Sequence, residues 1–213
     1  MHSETENSVA ITKKVALIGV GGGGMNTLEE LLHRGVPAAR FIAVNRDKAS
    51  LSQSNAQAKI GLDALNHAPE SIAGAVKQKE NTLRKLLDGM DAVVIVAGMG
   101  GITGSYASPE IAHIAKQSSL TTWTVVTMPF DFEGEKRSSD ARTGIDRITQ
   151  HGDAILCVNN QELIGSGGEK ISMLGAFRRV DAMMAEVVAM ITAHGAVNAD
   201  MLRRLPVSCS LIQ

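Results

Sequence analysis

Two stretches of this chain could do chemistry without a reactive side chain. GVGGGGMN (19–26) follows one apolar run, and AGMGGITGS (97–105) follows another. Glycine admits positive φ and lets main-chain N–H groups approach a phosphate closely. A helix starting just beyond adds partial positive charge. Two such turns side by side would enclose about two or three phosphates. No P-loop lysine follows either stretch. Gly19, Gly21 and Gly24 also spell G-x-G-x-x-G, a dinucleotide pattern that is weak when it stands alone. In that reading Asp47, about twenty residues further on, would hold a ribose of NAD.

These turns need a scaffold that sets them side by side. Apolar runs at 15–20, 40–44, 92–97, 121–127 and 154–158 have the near-continuous character of parallel strands covered on both faces. Helical spacing of apolar residues fills the intervals over Met25–Arg34, Ala75–Leu87, Pro109–Gln117 and Ala141–His151. A longer pattern, Ser172–His194, ends at Gly195, a C-cap signal. The alternation predicts a doubly wound, mostly parallel α/β sheet flanked by helices, Rossmann-like, ending in a long helix. In open sheets of this kind ligands bind at the carboxyl ends of the strands, where both glycine turns fall. The segments 60–75 and 165–169 read as mobile connections.

Composition narrows the partners. The 213 residues carry a net charge of −1, so nothing calls for nucleic acid or an anionic membrane surface. Aromatic residues are only 3%, too few for base-stacking platforms. The first residues carry Glu4 and Glu6 ahead of any apolar run, unlike a secretory signal, and read as a flexible lead over 1–13. Cys157 and Cys209 are better explained as reduced thiols of a cytoplasmic protein than as a disulfide frame.

Further motifs follow the glycine turns in a fixed order: AVNRD (43–47), MPFDFEGEKR (128–137), HGDAILCVNNQELI (151–164), ISMLGAF (171–177) and GAVNAD (195–200). Together with GVGGGGMN and AGMGGITG, this series resembles the tubulin/FtsZ superfamily on its bacterial cell-division side, over most of residues 14–205. The resemblance implies GTP or GDP as ligand, with Mg²⁺ compatible beside a triphosphate. Gly22, Gly23, Gly24 and Asn26 would approach the α- and β-phosphates, with Asn45 nearby. Gly100, Gly101, Thr103 and Gly104 would hold the β- and γ-phosphates. Glu133 and Arg137 match the ribose-side pair, Phe177 the aromatic on the guanine, and Asp181 the group that reads its N1–H and amine. Without the resemblance, Glu133 with Arg137 reads as an ion pair at a helix start, Phe177 as a core aromatic, and Asn45 as a turn residue.

Departures from the pattern bear on activity. Ile102 and Tyr106 stand where the signature loop has glycine, and Ser105 where it has Thr. A β-branched Ile disfavours positive φ and fills space beside a phosphate. LDALNHAPE (62–70) lacks the glycines of the family's γ-phosphate loop, which predicts a weakened distinction between GTP and GDP. In the loop that acts on a neighbour's nucleotide, Asn198 and Asp200 are retained as candidate catalytic residues, but Arg203 replaces the second Asp. A cation cannot orient water as a base does. The family's second domain has no counterpart here; residues 206–213 read as a short extension. The expectation is therefore a guanine-nucleotide-binding protein with weak or absent hydrolysis. It would associate with itself or a full-length relative in filament assembly or its regulation, without direct membrane binding. Two alternatives stay open: an active polymerising GTPase whose second domain lies beyond this chain, and a nucleotide-free interaction module.

Overall fold

The computed structural model describes residues 13–165, 172–194 and 209–212. Among them, the strands are β1 (Val15–Val20), β2 (Arg40–Asn45), β3 (Ala58–Gly61), β4 (Ala92–Gly98), β5 (Thr121–Met128), β6 (Ala154–Asn159) and β7 (Cys209–Ile212). They form a single sheet in the order β3-β2-β1-β4-β5-β6-β7. The first six are parallel, while β7 pairs antiparallel with β6, Leu156 opposite Leu211. Part of the segment expected as an extension thus joins the sheet. The mostly parallel doubly wound sheet is as expected; β3, four residues interrupted by Lys59, is too short to carry the apolar signal.

The helices are α1 (Gly21–His33), α2 (Lys48–Gln53), α3 (Pro69–Gln78), α4 (Glu80–Leu87), α5 (Ile102–Gln117), α6 (Glu135–Ile148), α7 (Asn160–Gly165) and α8 (Met173–His194). The single helix expected over Ala75–Leu87 is two, because the backbone leaves helical geometry at Lys79 (φ −97°, ψ 5°). Its first half reaches back to Pro69, whose fixed φ suits a helix start, so the expected loop 60–75 is shorter. α1 and α5 also begin earlier than apolar spacing predicts. The first turn of α1 is built from glycines, poor helix formers by propensity, and that of α5 from Ile102 and the small and polar residues around Gly104.

Strand alternation sorts the core into two layers. Ala16, Ile18 and Val20 join Ile72, Val76, Leu83, Ile111 and Ile148 on the face covered by α3, α4, α5 and α6. Leu17, Val94 and Val125 join Leu28, Leu31, Met184 and Val188 on the face covered by α1 and α8. Each fully buried Leu or Ile contributes about 1.5–3 kcal/mol. The two layers therefore hold α1 and α5 firmly on opposite sides of the sheet. Cys157 is a free, buried thiol whose environment pushes its pKa up to about 11, so it acts as a small core residue.

The order reverses between β1 and β4, which are neighbours although six elements, α1 to α4 with β2 and β3, lie between them in the chain. α1 leaves β1 toward one face and α5 leaves β4 toward the other, so a crevice opens between their first turns. Glycine permits this crowding. A Cβ on Gly24 would lie 2.2 Å from the Val96 carbonyl oxygen, and one on Gly104 would lie 2.2 Å from that of Gly98. Gly24→Ala should therefore cost about 2–4 kcal/mol in urea unfolding. Gly22→Ala, whose Cβ would meet nothing within 4 Å, should leave the unfolding midpoint nearly unchanged.

Candidate nucleotide cleft

The first N–H groups of an α-helix have no carbonyl four residues back to bond. In α1 these belong to Gly21, Gly22 and Gly23; in α5, to Ile102, Thr103 and Gly104. All six residues line one cleft of about 440 Å³ at the carboxyl ends of the strands. The two helix dipoles add positive potential there. Gly21 takes φ +69° to turn the chain from β1 directly into the helix.

Of the residues expected at the site, Gly22, Gly23, Asn26, Gly101, Thr103, Gly104, Glu133, Arg137, Phe177 and Asp181 line the cleft. Three others do not. Gly24 is buried against β4, and as the fourth residue of α1 its N–H lies within the helix. Gly100 takes φ +87° under the Arg137 carbonyl, and its N–H donates to Ser105 Oγ at 2.8 Å. Asn45 is buried; its Oδ1 accepts from Arg46 N at 2.8 Å, and its Nδ2 contacts Met25 Sδ at 3.4 Å. It is a turn residue that holds the end of β2. Asn198 and Asp200 lie outside the described residues, as does Arg203.

The departures in the signature loop are absorbed structurally. Ile102 opens α5 behind Gly101, and the left-handed position falls at Gly100 instead, so the expected φ conflict does not arise. Ser105 supplies the hydroxyl that closes the turn. Tyr106 turns away from the cleft into the α5–α6 contact. Its hydroxyl donates to Asp140 at 2.9 Å, and the Arg147 guanidinium lies over its ring. Asp47, the alternative ribose ligand, instead caps α2 by accepting from Ala49 N and Ser50 Oγ. It does not line the cleft.

One end of the cleft is shaped for a flat ring. Phe130 is fully buried after β5; Phe132 stacks on it at 5.0 Å, and Phe177 meets it edge-on at 5.3 Å. Phe177 itself stays 38% exposed. Glu133 Oε1 accepts from Phe130 N, and its other oxygen pairs with Arg137. One turn beyond Phe177, burial pushes the Asp181 carboxyl up to about 6; the nearby Glu30 charge adds to this, and a Thr27 hydrogen bond works against it. Sequence reasoning missed Asn160, which opens α7. It is 4% exposed, lines the cleft, and its Oδ1 has no partner among the described residues. Its place at the carboxyl end of a strand was the available signal. Arg46 and His67 also line the cleft and were not anticipated.

Fold and cleft together define a doubly wound α/β domain with anion-binding chemistry at its switch point. The family model of the GTPase domain of the Tubulin/FtsZ family matches residues 14–168, and the chain belongs to that family. A curated relative, the cell division protein FtsZ of Wigglesworthia glossinidia brevipalpis, is 35% identical over 198 residues, 87% of this chain and 51% of that protein. The chain thus spans about half the length of that relative. Among solved structures, a W319Y mutant of FtsZ from M. jannaschii superposes with a TM-score of 0.80 at 28% identity, over 85% of this chain and 56% of the other. CetZ2 from Haloferax volcanii, solved as a GTPgS-bound protofilament, gives 0.74 at 24% identity, over 92% and 64%. That likeness speaks for the fold.

The raised Asp181 pKa has a stability consequence. The folded state binds this proton more tightly than the unfolded chain does. The resulting stabilisation is full below the unfolded value of 3.8 and lost as pH rises through about 6. Asp181→Asn should therefore be more stable than the parent at pH 7.5, by up to about 2 kcal/mol after allowance for solvent screening. The difference should vanish near pH 4 in denaturant unfolding followed across pH.

Proposed function

We propose that this chain is a guanine-nucleotide-binding domain that works in filament assembly, or its regulation, during cell division, with weak or absent GTP hydrolysis. The observation that carries this reading is the convergence of two helix N-termini, six unbonded N–H groups in all, on a cleft whose far end offers Phe177 and Asp181. Main-chain donors and two dipole ends suit a di- or triphosphate. Phe177 offers a face for the purine, and Glu133 and Asn160 offer acceptors for ribose hydroxyls. An ionised Asp181 accepts from guanine N1–H and its amine together, whereas adenine presents an acceptor at N1.

Among the described residues no group of three His, Cys, Asp or Glu side chains is placed to hold a metal ion. A Mg²⁺ ion arriving with a nucleotide would rest largely on phosphate oxygens and water, its usual habit. Weak hydrolysis follows from Arg203, a cation where the family places the second water-orienting carboxylate. The partner in assembly is a second copy or a full-length relative, which matches the family membership and the absence of a strongly basic surface charge balance. The cytoplasm is the compartment in which such a partner and free GTP are both present. Among the described residues no helix is long and apolar enough to cross a membrane.

Chromatography of the denatured, freshly purified protein should release GDP or GTP, and NAD in its place would overturn the assignment. By calorimetry at pH 7.5, ATP should bind at least about a hundredfold more weakly than GTP, because a mispaired buried carboxylate is costly. GTP affinity should fall as pH is lowered through about 6, since protonated Asp181 loses one acceptor. Gly22→Ala, neutral for folding, should weaken GTP by about tenfold or more by placing a methyl group in the phosphate path.

A further inference from the structure

The glycine-poor segment 62–70 predicts poor reading of a third phosphate, yet the structure brings two other groups to that end of the cleft. Along the sheet, Glu133 and Phe130 follow β5, Asn160 follows β6, and the glycine turns follow β4 and β1. Beyond them, Arg46 follows β2. A nucleotide laid with its sugar over β5 and its phosphates on the glycine turns therefore points its last phosphate toward Arg46. His67 comes from the segment between β3 and α3, and both side chains line the cleft.

Arg46 is held ready rather than neutralised. Its N–H donates to Asn45 Oδ1, and Leu62 N donates to the Asn45 carbonyl at 2.9 Å, so the ends of β2 and β3 are tied together around it. Arg46 Nη1 lies 2.9 Å from His67 Nδ1. Because arginine only donates, His67 Nδ1 accepts, and its Nε2 carries the ring proton. Arg46 Nε is buried with no hydrogen-bond partner among the described residues. The nearby carboxylates are engaged elsewhere: Asp47 caps α2, and Asp63 pairs with Lys48 at 3.1 Å and Lys79 at 3.4 Å. The other arginine of the cleft, Arg137, is paired with Glu133. A buried guanidinium N–H with no acceptor is costly, so this side chain gains by turning toward an anion in the cleft it lines.

We propose that Arg46 and His67 form a two-donor contact for the terminal phosphate of a nucleoside triphosphate, so that this chain tells GTP from GDP by side chains rather than by a glycine-rich loop. The proposal rests on the guanine-nucleotide reading above. The Arg46 guanidinium and His67 Nε2–H supply the donors, and the guanidinium charge favours the extra negative charge of the triphosphate over the diphosphate.

The test is calorimetry on nucleotide-stripped protein with GDP, GTP and a non-hydrolysable GTP analogue, on the parent, Arg46→Gln and His67→Ala. The parent should bind the analogue about tenfold or more tightly than GDP. Arg46→Gln should bring the two affinities within about threefold, mainly by weakening the triphosphate, and His67→Ala should narrow the gap by a smaller factor. Thermal unfolding checks that each variant folds. His67 is exposed, so His67→Ala carries the test alone if Arg46→Gln does not fold. A parent without triphosphate preference, or a preference unchanged in the folded variants, overturns this contact while the guanine reading stands. Failure of the parent to bind either nucleotide overturns both.

Discussion

The close passage of α1 against β4 is the constraint on which the rest depends. Gly24 touches the Val96 carbonyl, and Gly19 in turn lies under Gly24, where a Cβ would come within 2.6 Å of its oxygen. Only backbone without side chains fits there. This contact brings the start of α1 beside the start of α5, at the place where strand order reverses. Both helices then direct their unbonded N–H groups into one space, a consequence of packing rather than of any ligand. The glycine cluster thus divides its labour. Gly19, Gly24 and Gly104 permit the approach, while Gly21, Gly22 and Gly23 supply open backbone to the cleft.

Charge around the cleft follows a gradient from end to end. Asp181, pressed by burial and by Glu30, is the anionic end. Glu133 and Arg137 compensate each other in the middle. Arg46, with no carboxylate partner among the described residues, is the cationic end. A ligand with hydrogen-bond donors on its ring system and negative charge on its tail is matched to that polarity in one orientation only.

Much of this was legible in the residues. Five apolar runs became strands, because a fully covered parallel strand announces itself by continuous hydrophobicity. The sheet-edge placement of both glycine turns followed from strand–helix alternation. What escaped has physical causes. The start of α1 was placed late because propensity counts glycine against a helix, whereas a first turn with unbonded N–H groups tolerates it; α5 and α6 begin in largely polar turns that carry no apolar spacing. Ile102 looked like a conflict because the position needing positive φ, Gly100, sits two residues earlier than the substitution. Asn45 and Gly100 were expected to meet a ligand; neither lines the cleft, and Asn45 Oδ1 accepts from Arg46 N while the Gly100 N–H donates to Ser105 Oγ instead. Arg46 and His67 could not be paired from sequence, since a turn and a loop 21 residues apart meet only through the β2–β3 register.

The strand β7 has a bearing on how copies of this domain could stack. Running antiparallel along β6, it covers one margin of the sheet with its own hydrogen bonds. The opposite margin is β3, four residues long, with Lys59 reaching back to the Ser52 carbonyl. Short or charged border strands discourage strand-to-strand annealing between molecules. Sideways widening of the sheet, the route by which amyloid grows, is therefore disfavoured at both margins, each a strand of four residues.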